Sequence, residues 1–372
     1  MYEGTRVVDA DGHLLEPTDV FEGRIDPKHL EHAPVVRRRD DGYAGMSFDG
    51  GAPPQGGDFG SGDAVVPGGI NDPKMRSWDD GMPGGFDPHQ RIADHDLEGI
   101  DAAVMFPTLG LFSSLVQGPE AQTAYCRALN DFYHEYCSAH PTRLFATALL
   151  PLADVDGAVA EVHRAAERGV VAMVARPNPD PFSKRQINDA AYEPIFAAAA
   201  EAGLPICFHE GVNPMIPFAG LDRCQNMFDW HCVSHPFEQM LALLGLVRAG
   251  VMERHPTLKF GFMESNCGWL PFWLDRLDSN WKQLSRMVPD CKMLPSEYFM
   301  RQCAIGAEAD EHVIPAVIDL HPGVVLWASD YPHYDAEFPG AVKEMFERED
   351  LTDAQRAEAM AGNADHFFGL QR

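Results

Sequence analysis

The sequence predicts an α/β protein, a (β/α)8 TIM barrel with a long Gly/Pro-rich insertion after its first strand. Eight short apolar segments alternate with longer stretches of helical periodicity, which is the pattern of parallel βα units. Several of these segments end in Asp, Glu or His, and in a barrel the carboxyl ends of all strands meet at one face. The length of 372 residues suits one large barrel with insertions. We therefore expect a single domain over residues 1–372.

The predicted strands are short runs rich in β-branched and other apolar residues. They are Arg6–Asp11, Ala102–Phe106, Leu144–Leu149, Val170–Ala175, Pro205–His209, Leu258–Met263, Met300–Ile305 and Val324–Ser329. Helices are predicted between most of them, because apolar residues recur there at helical spacing. The clearest are Ala121–Ala139, Gly157–Gly169, Asn188–Ala202 and Phe237–Arg254.

Residues 34–87 break this alternation. The stretch is dense in Gly, Pro and Asp, as at 50–57, and shows no hydrophobic period. It belongs to the first βα loop, which lies on the face where barrel active sites are found. We expect it to cover the barrel opening or to pack on a partner subunit; a flexible loop without a role is the alternative. Because symmetric dimers are the commonest soluble assemblies, we also expect a homo-oligomer, in particular a homodimer.

The composition excludes several classes of partner. The hydrophobic content of 45% and the charged content of 23% are ordinary for a globular protein. The formal net charge of -27 makes nucleic acid and anionic membranes poor partners. The eight cysteines form no CxxC pair, and we find neither a secretory signal nor an apolar run of about 20 residues. These features predict a reduced, cytoplasmic protein.

The first predicted strand ends in Asp11 and His13. Side chains two residues apart on a strand point to the same side, so these two are able to share one metal ion. A plain strand followed by a polar turn would give the same pattern. Similar endings recur at His209 and Asp330, after the fifth and eighth predicted strands. Two histidines and two carboxylates suit one divalent ion, zinc in first place and manganese as the alternative, with a position left for water or substrate.

Several segments together resemble the amidohydrolase superfamily and, within it, the aminocarboxymuconate-semialdehyde-decarboxylase-like branch. They are 9–13 (DADGH), 16–17 (EP), 209–211 (HEG), 234–238 (SHPFE), 264–271 (ESNCGWLP), 328–333 (ASDYPH) and 362–364 (GNA). The resemblance covers the chain apart from the insertion. It implies an enzyme that binds one divalent ion through Asp11, His13, His209 and Asp330. In hydrolytic members the aspartate at the place of Asp330 also takes a proton from the bound water.

One position departs from this resemblance. These decarboxylases usually carry a histidine at the end of the sixth strand, where this chain has Glu264. Glu264 is either an acid–base group, if burial raises its pKa, or a carboxylate that orients a neighbour. The nearest substitute is His235, because Ser234 and Pro236 resemble the N-cap and first residue of a helix that starts at the catalytic face. We expect His235 to move the proton; simple packing at the helix start is the alternative, and His231 is a weaker candidate.

Three further residues are candidates for substrate binding: Arg176, His333 and Trp269. Arg176 follows the fourth strand and is able to bind a carboxylate with two hydrogen bonds, although a surface salt bridge fits the sequence equally well. His333 either touches substrate or supports a metal ligand. Trp269 suggests an aromatic pocket, or else ordinary core packing. The other aromatic residues of this kind are Phe106, Trp230 and Phe272.

Two reactions fit these residues. The resemblance favours the first, a non-oxidative decarboxylation of a small aromatic or unsaturated carboxylate, with Asp330, His235 or Glu264 as the available acid. The second is hydrolysis of a lactone, amide or related carbonyl, with Asp330 as the base. A third hypothesis is a barrel that binds metal and ligand without turnover, and the complete set of four ligands argues against it.

Overall fold

The computed structural model describes residues 1–32, 35–38, 44–47 and 78–370. The strands in these ranges are β1 (Val8–His13), β2 (Val35–Arg38), β3 (Ala44–Ser47), β4 (Ala102–Phe106), β5 (Leu144–Leu149), β6 (Ala172–Ala175), β7 (Ile206–Phe208), β8 (Phe260–Phe262), β9 (Cys303–Ala307) and β10 (Val325–Trp327). The α-helices are α1 (Pro83–Phe86), α2 (Pro88–Glu98), α3 (Pro119–Ser138), α4 (Val155–Glu167), α5 (Glu193–Ala202), α6 (Met227–Arg248), α7 (Val251–Arg254), α8 (Trp269–Leu284), α9 (Pro295–Gln302), α10 (Ile314–Leu320), α11 (Ala341–Glu347), α12 (Asp353–Ala357) and α13 (Asn363–Phe368).

Eight of the strands form one parallel sheet in the order β1-β4-β5-β6-β7-β8-β9-β10. The residues that follow β10 meet β1: the Asp330 N–H donates to the Asp11 carbonyl at 3.0 Å, and the His13 N–H donates to the Tyr331 carbonyl at 2.8 Å. All residues of β4 and β9 are buried, because helices cover the outer face of a parallel barrel. The predicted (β/α)8 barrel is confirmed.

Most predicted elements differ from the observed ones by a few residues at an end, and two of these differences bear on the site. Residues 300–302 belong to the end of α9 rather than to a strand, because the run from Pro295 buries Tyr298, Phe299 and Gln302 on one helical face. The helix predicted to start near Phe237 is α6, which starts at Met227.

The true start of α6 also corrects the predicted helix cap. Asn226 is the N-cap, with its side-chain oxygen accepting a hydrogen bond from the Asp229 N–H at 3.2 Å. Ser234 and Pro236 therefore lie inside the helix, where a proline is tolerated despite the backbone hydrogen bond that it removes. His235 is an interior residue of α6 and not part of its first turn.

Most of the predicted insertion, residues 34–87, lies outside the described residues. Its described parts include β2 and β3, which pair as an antiparallel hairpin, and Trp78, which is buried. The Trp78 indole N–H donates to the Glu16 carbonyl at 2.7 Å, so the end of this segment packs beside the chain that leaves β1. Within the described ranges, no helix combines the length and the apolar character needed to cross a membrane.

Candidate metal centre and active site

The four predicted metal ligands lie together at the carboxyl ends of the barrel strands. His13 Nε2 is 3.1 Å from His209 Nε2, 3.6 Å from Asp11 Oδ1 and 3.2 Å from Asp330 Oδ1. His209 Nε2 is 3.3 Å from Asp11 Oδ1. All four side chains are buried. The expected convergence of strand ends therefore brings these four residues into one cluster around His13.

The backbone at two of these positions is specialised. The pairing of β1 with β4 shifts register between Asp9 and Gly12, and a Cβ on Gly12 would lie 2.6 Å from Asp9 Oδ2. Only glycine fits there, and the bulge still leaves Asp11 and His13 on the same side. Asp330 has a φ of 54°, a left-handed conformation that is unusual for a residue with a side chain and that clusters at functional sites.

The two histidines turn their Nε2 atoms toward each other. His13 Nδ1 lies 2.9 Å from the Pro107 carbonyl, and His209 Nδ1 lies 2.7 Å from the Glu210 carbonyl. A carbonyl oxygen only accepts, so both Nδ1 atoms carry the hydrogen and both Nε2 atoms face the cluster. This backbone support of the distal nitrogen is what metal-binding histidines usually have.

The spacing of three of the donor atoms fits a single small divalent ion: ligand atoms of Asp11, His13 and His209 lie within 4.8 Å of one another, and Asp330 joins them through its contact with His13. With bonds of about 2.0–2.1 Å, neighbouring ligand atoms of a tetrahedral ion lie about 3.4 Å apart. The four separations given above run from 3.1 to 3.6 Å. In addition, Oδ1 of Asp11 is buried and accepts no hydrogen bond of good geometry. Buried polar atoms are seldom left without a partner, so the residues present fit a bound metal.

The titration behaviour of the cluster reflects its burial and its crowding. Burial raises the pKa of Asp11 to about 6 and the pKa of Asp330 well above its usual range, with Glu264 adding to both. Burial lowers the pKa of His13 well below its usual value. Burial also acts to lower the pKa of His209, but the neighbouring Asp11 and Glu264 outweigh it and raise that pKa to about 9. Without a metal, the cluster therefore holds a proton at His209 at neutral pH.

Glu264 connects the predicted ligands to His235. One carboxylate oxygen, Oε2, lies 3.3 Å from His209 Nδ1, and the other, Oε1, lies 3.5 Å from His235 Nε2. Burial acts to raise the pKa of Glu264, but His235 and His209 hold it well below its usual range. Glu264 has a φ of 45°, another left-handed residue at a strand end. Ser234 Oγ lies 3.1 Å from the other ring nitrogen of His235, so the imidazole is contacted on both sides.

His333 lies against the cluster rather than apart from it. Its Nδ1 is 2.8 Å from Asp330 Oδ1, its Nε2 is 3.1 Å from Thr108 Oγ, and its ring lies 3.9 Å from the ring of His13, measured between centroids. Burial lowers the pKa of His333. It is thus placed both to orient Asp330 and to reach the space above it.

A small cavity opens above the cluster. Its lining combines polar groups with aromatic and aliphatic surface, as in sites for small organic molecules. The residues that line it are Trp78, Thr108, Leu111, Phe112, Gly211, Val212, Met227, His231, His235, Glu264, His333, Tyr334 and Asp335.

Two residues predicted to bind substrate lie elsewhere. The guanidinium of Arg176 contacts Glu210 at 2.9 Å and donates to the carbonyls of Leu111 and Gly211, behind the cavity wall. Trp269 is half-buried at the start of α8, where its indole N–H donates to Ser265 Oγ at 3.3 Å. Neither is among the residues lining this cavity.

The other three aromatic candidates lie in different surroundings. The buried ring of Phe106 lies 5.4 Å from the ring of His209. The ring of Phe272 is 64% exposed, so it does not form a pocket. Trp230, on α6, has a buried indole nitrogen without a hydrogen-bond partner.

Sequence reasoning missed two buried carboxylates that hold the site in place. Asp9 accepts hydrogen bonds from Ser329 N at 3.0 Å and Ser329 Oγ at 2.6 Å, beside Asp330. Glu16 accepts from three consecutive backbone N–H groups, 108–110, and from Tyr133 Oη. An acid inside an apolar run was the available signal for Asp9. Glu16 was quoted only as part of a motif, and its partners are distant in sequence.

Two other acids near the cavity were also missed. Asp335 Oδ2 lies 3.3 Å from His231 Nε2. Glu308 directly follows β9, at the same face of the barrel as the cluster. Asp335 lies in a loop, and its proximity to His231 depends on the true start of α6. Glu308 follows the predicted strand whose end was placed too early.

Comparisons with known proteins agree with this geometry. A family model described as amidohydrolase matches residues 8–370. The chain is 23% identical over 289 residues to 2-amino-3-carboxymuconate-6-semialdehyde decarboxylase of Dictyostelium discoideum, covering 77% of each. An amidohydrolase structure from Mycobacterium avium subsp. paratuberculosis superimposes with a TM-score of 0.81 at 23% identity, over 99% of both chains. A dihydroxybenzoic acid decarboxylase from Polaromonas sp. JS666, solved with manganese and 2-nitroresorcinol, gives a TM-score of 0.68 at 18% identity, covering 99% of this chain and 98% of that one.

Proposed function

Because this chain belongs to the amidohydrolase family, we propose that it is a metal-dependent, non-oxidative decarboxylase of a small aromatic or unsaturated carboxylate. The observation that carries the proposal is the shared position of three parts. One end of the barrel holds all three: the cluster of metal-binding donor atoms, the Glu264–His235 pair and a cavity with apolar walls. The relatives named as decarboxylases support the same reaction class.

Asp11, His13, His209 and Asp330 would hold the divalent ion. When bound, such an ion supplies positive charge that attracts and polarises substrate oxygen atoms. Zinc is the preferred ion, because imidazoles and carboxylates are ligands that suit it. Manganese is the alternative, since the Polaromonas structure contains it.

The protein's own residues supply the proton. His235 faces the cavity, and its Nε2 carries the proton that is transferred to the carbon bearing the carboxylate. The bond between that carbon and the carboxylate then breaks, its electron pair returns to the carbon framework, and CO₂ leaves. Glu264 remains ionised beside His235 and stabilises the imidazolium before transfer. His333 holds Asp330 through the 2.8 Å contact.

Incubation with candidate substrates in D₂O tests this proposal. The protein, loaded with one equivalent of zinc or of manganese, is given hydroxybenzoates, unsaturated carboxylates and lactones. We expect CO₂ release and one deuterium at the carbon that carried the carboxylate. The Asp11→Asn and His209→Asn variants should release none. Ring opening of a lactone without CO₂ release from any carboxylate would contradict the proposal and favour hydrolysis.

We further propose a homodimer in a reducing compartment such as the cytoplasm. The hairpin of β2 and β3 belongs to the segment expected to meet a partner subunit, and none of the eight cysteines is in a disulfide. Light scattering at micromolar concentration that shows only monomer would contradict the dimer.

A further inference from the structure

A second group of metal-binding side chains lies in the cavity, beside the four predicted ligands. It consists of His231, His235 and Glu264, whose ligand atoms lie within 4.8 Å of one another. His231 and His235 are four residues apart on α6, so both rings project from one face of the helix. Their ring centroids are 4.6 Å apart. Two histidines at this spacing on a helix are a recurring arrangement for binding one ion.

The distances within the group suit a divalent ion. His235 Nε2 and Glu264 Oε1 are 3.5 Å apart, close to the separation of about 3.4 Å between neighbouring ligands of tetrahedral zinc. Asp335 Oδ2 lies 3.3 Å from His231 Nε2 and offers a further oxygen beside the group. All four residues line the cavity.

The charge of the cavity also favours a cation. Glu264 and Asp335 face it, and none of its lining residues among those described is a lysine or an arginine. Two buried arginines lie near the site without lining the cavity: Arg176 is paired with Glu210, and Arg91 donates to the carbonyls of His13 and Tyr331. A cation entering the cavity therefore meets two carboxylates whose neighbours are histidines, which are themselves able to bind a metal.

Glu264 is able to serve this group without leaving the first one. Its Oε2 faces His209, whereas its Oε1 faces His235. Glu264 is thus the residue that the group His231, His235 and Glu264 shares with the group His13, Glu264, Asp330 and His333, and it faces the two sides through different oxygens. His231 is one-third exposed whereas the four first ligands are buried, so the second group is open to exchange with solvent.

We propose that His231, His235 and Glu264, assisted by Asp335, bind a second divalent cation that inhibits the enzyme. Binding follows from the geometry of these residues alone. Inhibition rests on the proposed function, because an ion on His235 Nε2 occupies the atom that carries the proton. With fewer buried ligands, this site binds zinc more weakly than the first. The enzyme is active with one equivalent of zinc and loses activity as the second site fills.

Equilibrium dialysis against zinc alone, with elemental analysis, tests the binding. The wild type should take up a tight first equivalent and a weaker second one. His231→Ala and the bulkier His231→Gln should keep the first and lose the second. His312→Ala, a matched control at an exposed histidine, should bind both. Asp11→Asn should lose the tight equivalent and keep the weak one. A wild type that binds only one zinc, or a His231→Gln variant that binds two, would overturn the site.

Activity measured against added zinc tests the inhibition separately. Wild type and His312→Ala should be inhibited at the zinc concentration that fills the second site. In His231→Gln the inhibiting concentration should rise at least tenfold. Two bound zinc ions with full activity would overturn the inhibitory role. If the proposed decarboxylase function is wrong, the result differs: neither the wild type nor any variant releases CO₂ at one equivalent of zinc. The numbers of zinc ions bound per protein would be unaffected.

Discussion

Asp9 joins the first and last strands of the barrel directly beside the predicted metal ligands. It is fully buried, and its carboxylate accepts hydrogen bonds from Ser329 N at 3.0 Å, Ser329 Oγ at 2.6 Å and Asp11 N at 3.3 Å. Asp9→Ala leaves two buried backbone N–H groups without an acceptor. Each such group costs about 1–3 kcal/mol, so we expect a loss of about 2–6 kcal/mol in the free energy of unfolding.

Asp9→Asn is the matched control. Its amide oxygen is able to accept from both backbone N–H groups, while its NH₂ donates to Ser329 Oγ. Burial raises the pKa of Asp9, although Ser329 opposes it, so a neutral amide also removes the cost of a buried charge. We expect Asp9→Asn to lose less than about 1 kcal/mol, well below the loss in Asp9→Ala.

The assay is urea unfolding of the metal-free proteins, followed by titration with zinc. Because Ser329 precedes Asp330, Asp9→Ala should also weaken zinc binding by about 10–100-fold, the usual effect of losing support for a ligand. Asp9→Asn should bind zinc nearly as the wild type does. Equal stability of the Ala and Asn variants would refute the reasoning, because the hydrogen bonds would then contribute nothing.

Further predictions concern the proton and the fold around the site. His235→Asn should keep one zinc and lose about 10²-fold or more in kcat. If His235→Asn is instead near wild type in activity and Glu264→Gln is inactive while still binding metal, Glu264 rather than His235 moves the proton. Zinc binding at pH 7.5 should release at least one proton, because the pKa of His209 is about 9 before the metal binds; equal binding enthalpies in two buffers of different ionisation enthalpy would contradict this. Zinc affinity should accordingly rise with pH up to about 9, the region where His209 loses its proton unaided.

The strands could be predicted where the local pattern was unambiguous. Ala102–Phe106 and Leu144–Leu149 were predicted with their observed bounds, because both are continuous apolar runs between polar residues. The strand predicted at Met300 was displaced, since the apolar face of α9 leads straight into β9 without a turn. An apolar run alone does not distinguish a helical face from a buried strand.

The candidate site was predictable where an aspartate or a histidine follows the end of a predicted strand. Alternation along β1 places Asp11 and His13 together, and the barrel brings His209 and Asp330 to them. The contact between His235 and Glu264 had no local signal, because it depends on the true start of α6 and on the left-handed backbone of Glu264. The pairing of Arg176 with Glu210 also had no signal in the sequence, because the residues of a buried ion pair and of an exposed one cannot be told apart from a single sequence.

The most direct test of the central claim is anomalous diffraction from crystals of the protein loaded with one equivalent of zinc. We expect one strong peak bounded by Asp11, His13, His209 and Asp330, with each ligand atom about 2.0–2.2 Å from it. A single peak elsewhere, or no peak in crystals of protein shown to contain zinc, would contradict the metal centre and the reaction proposed from it.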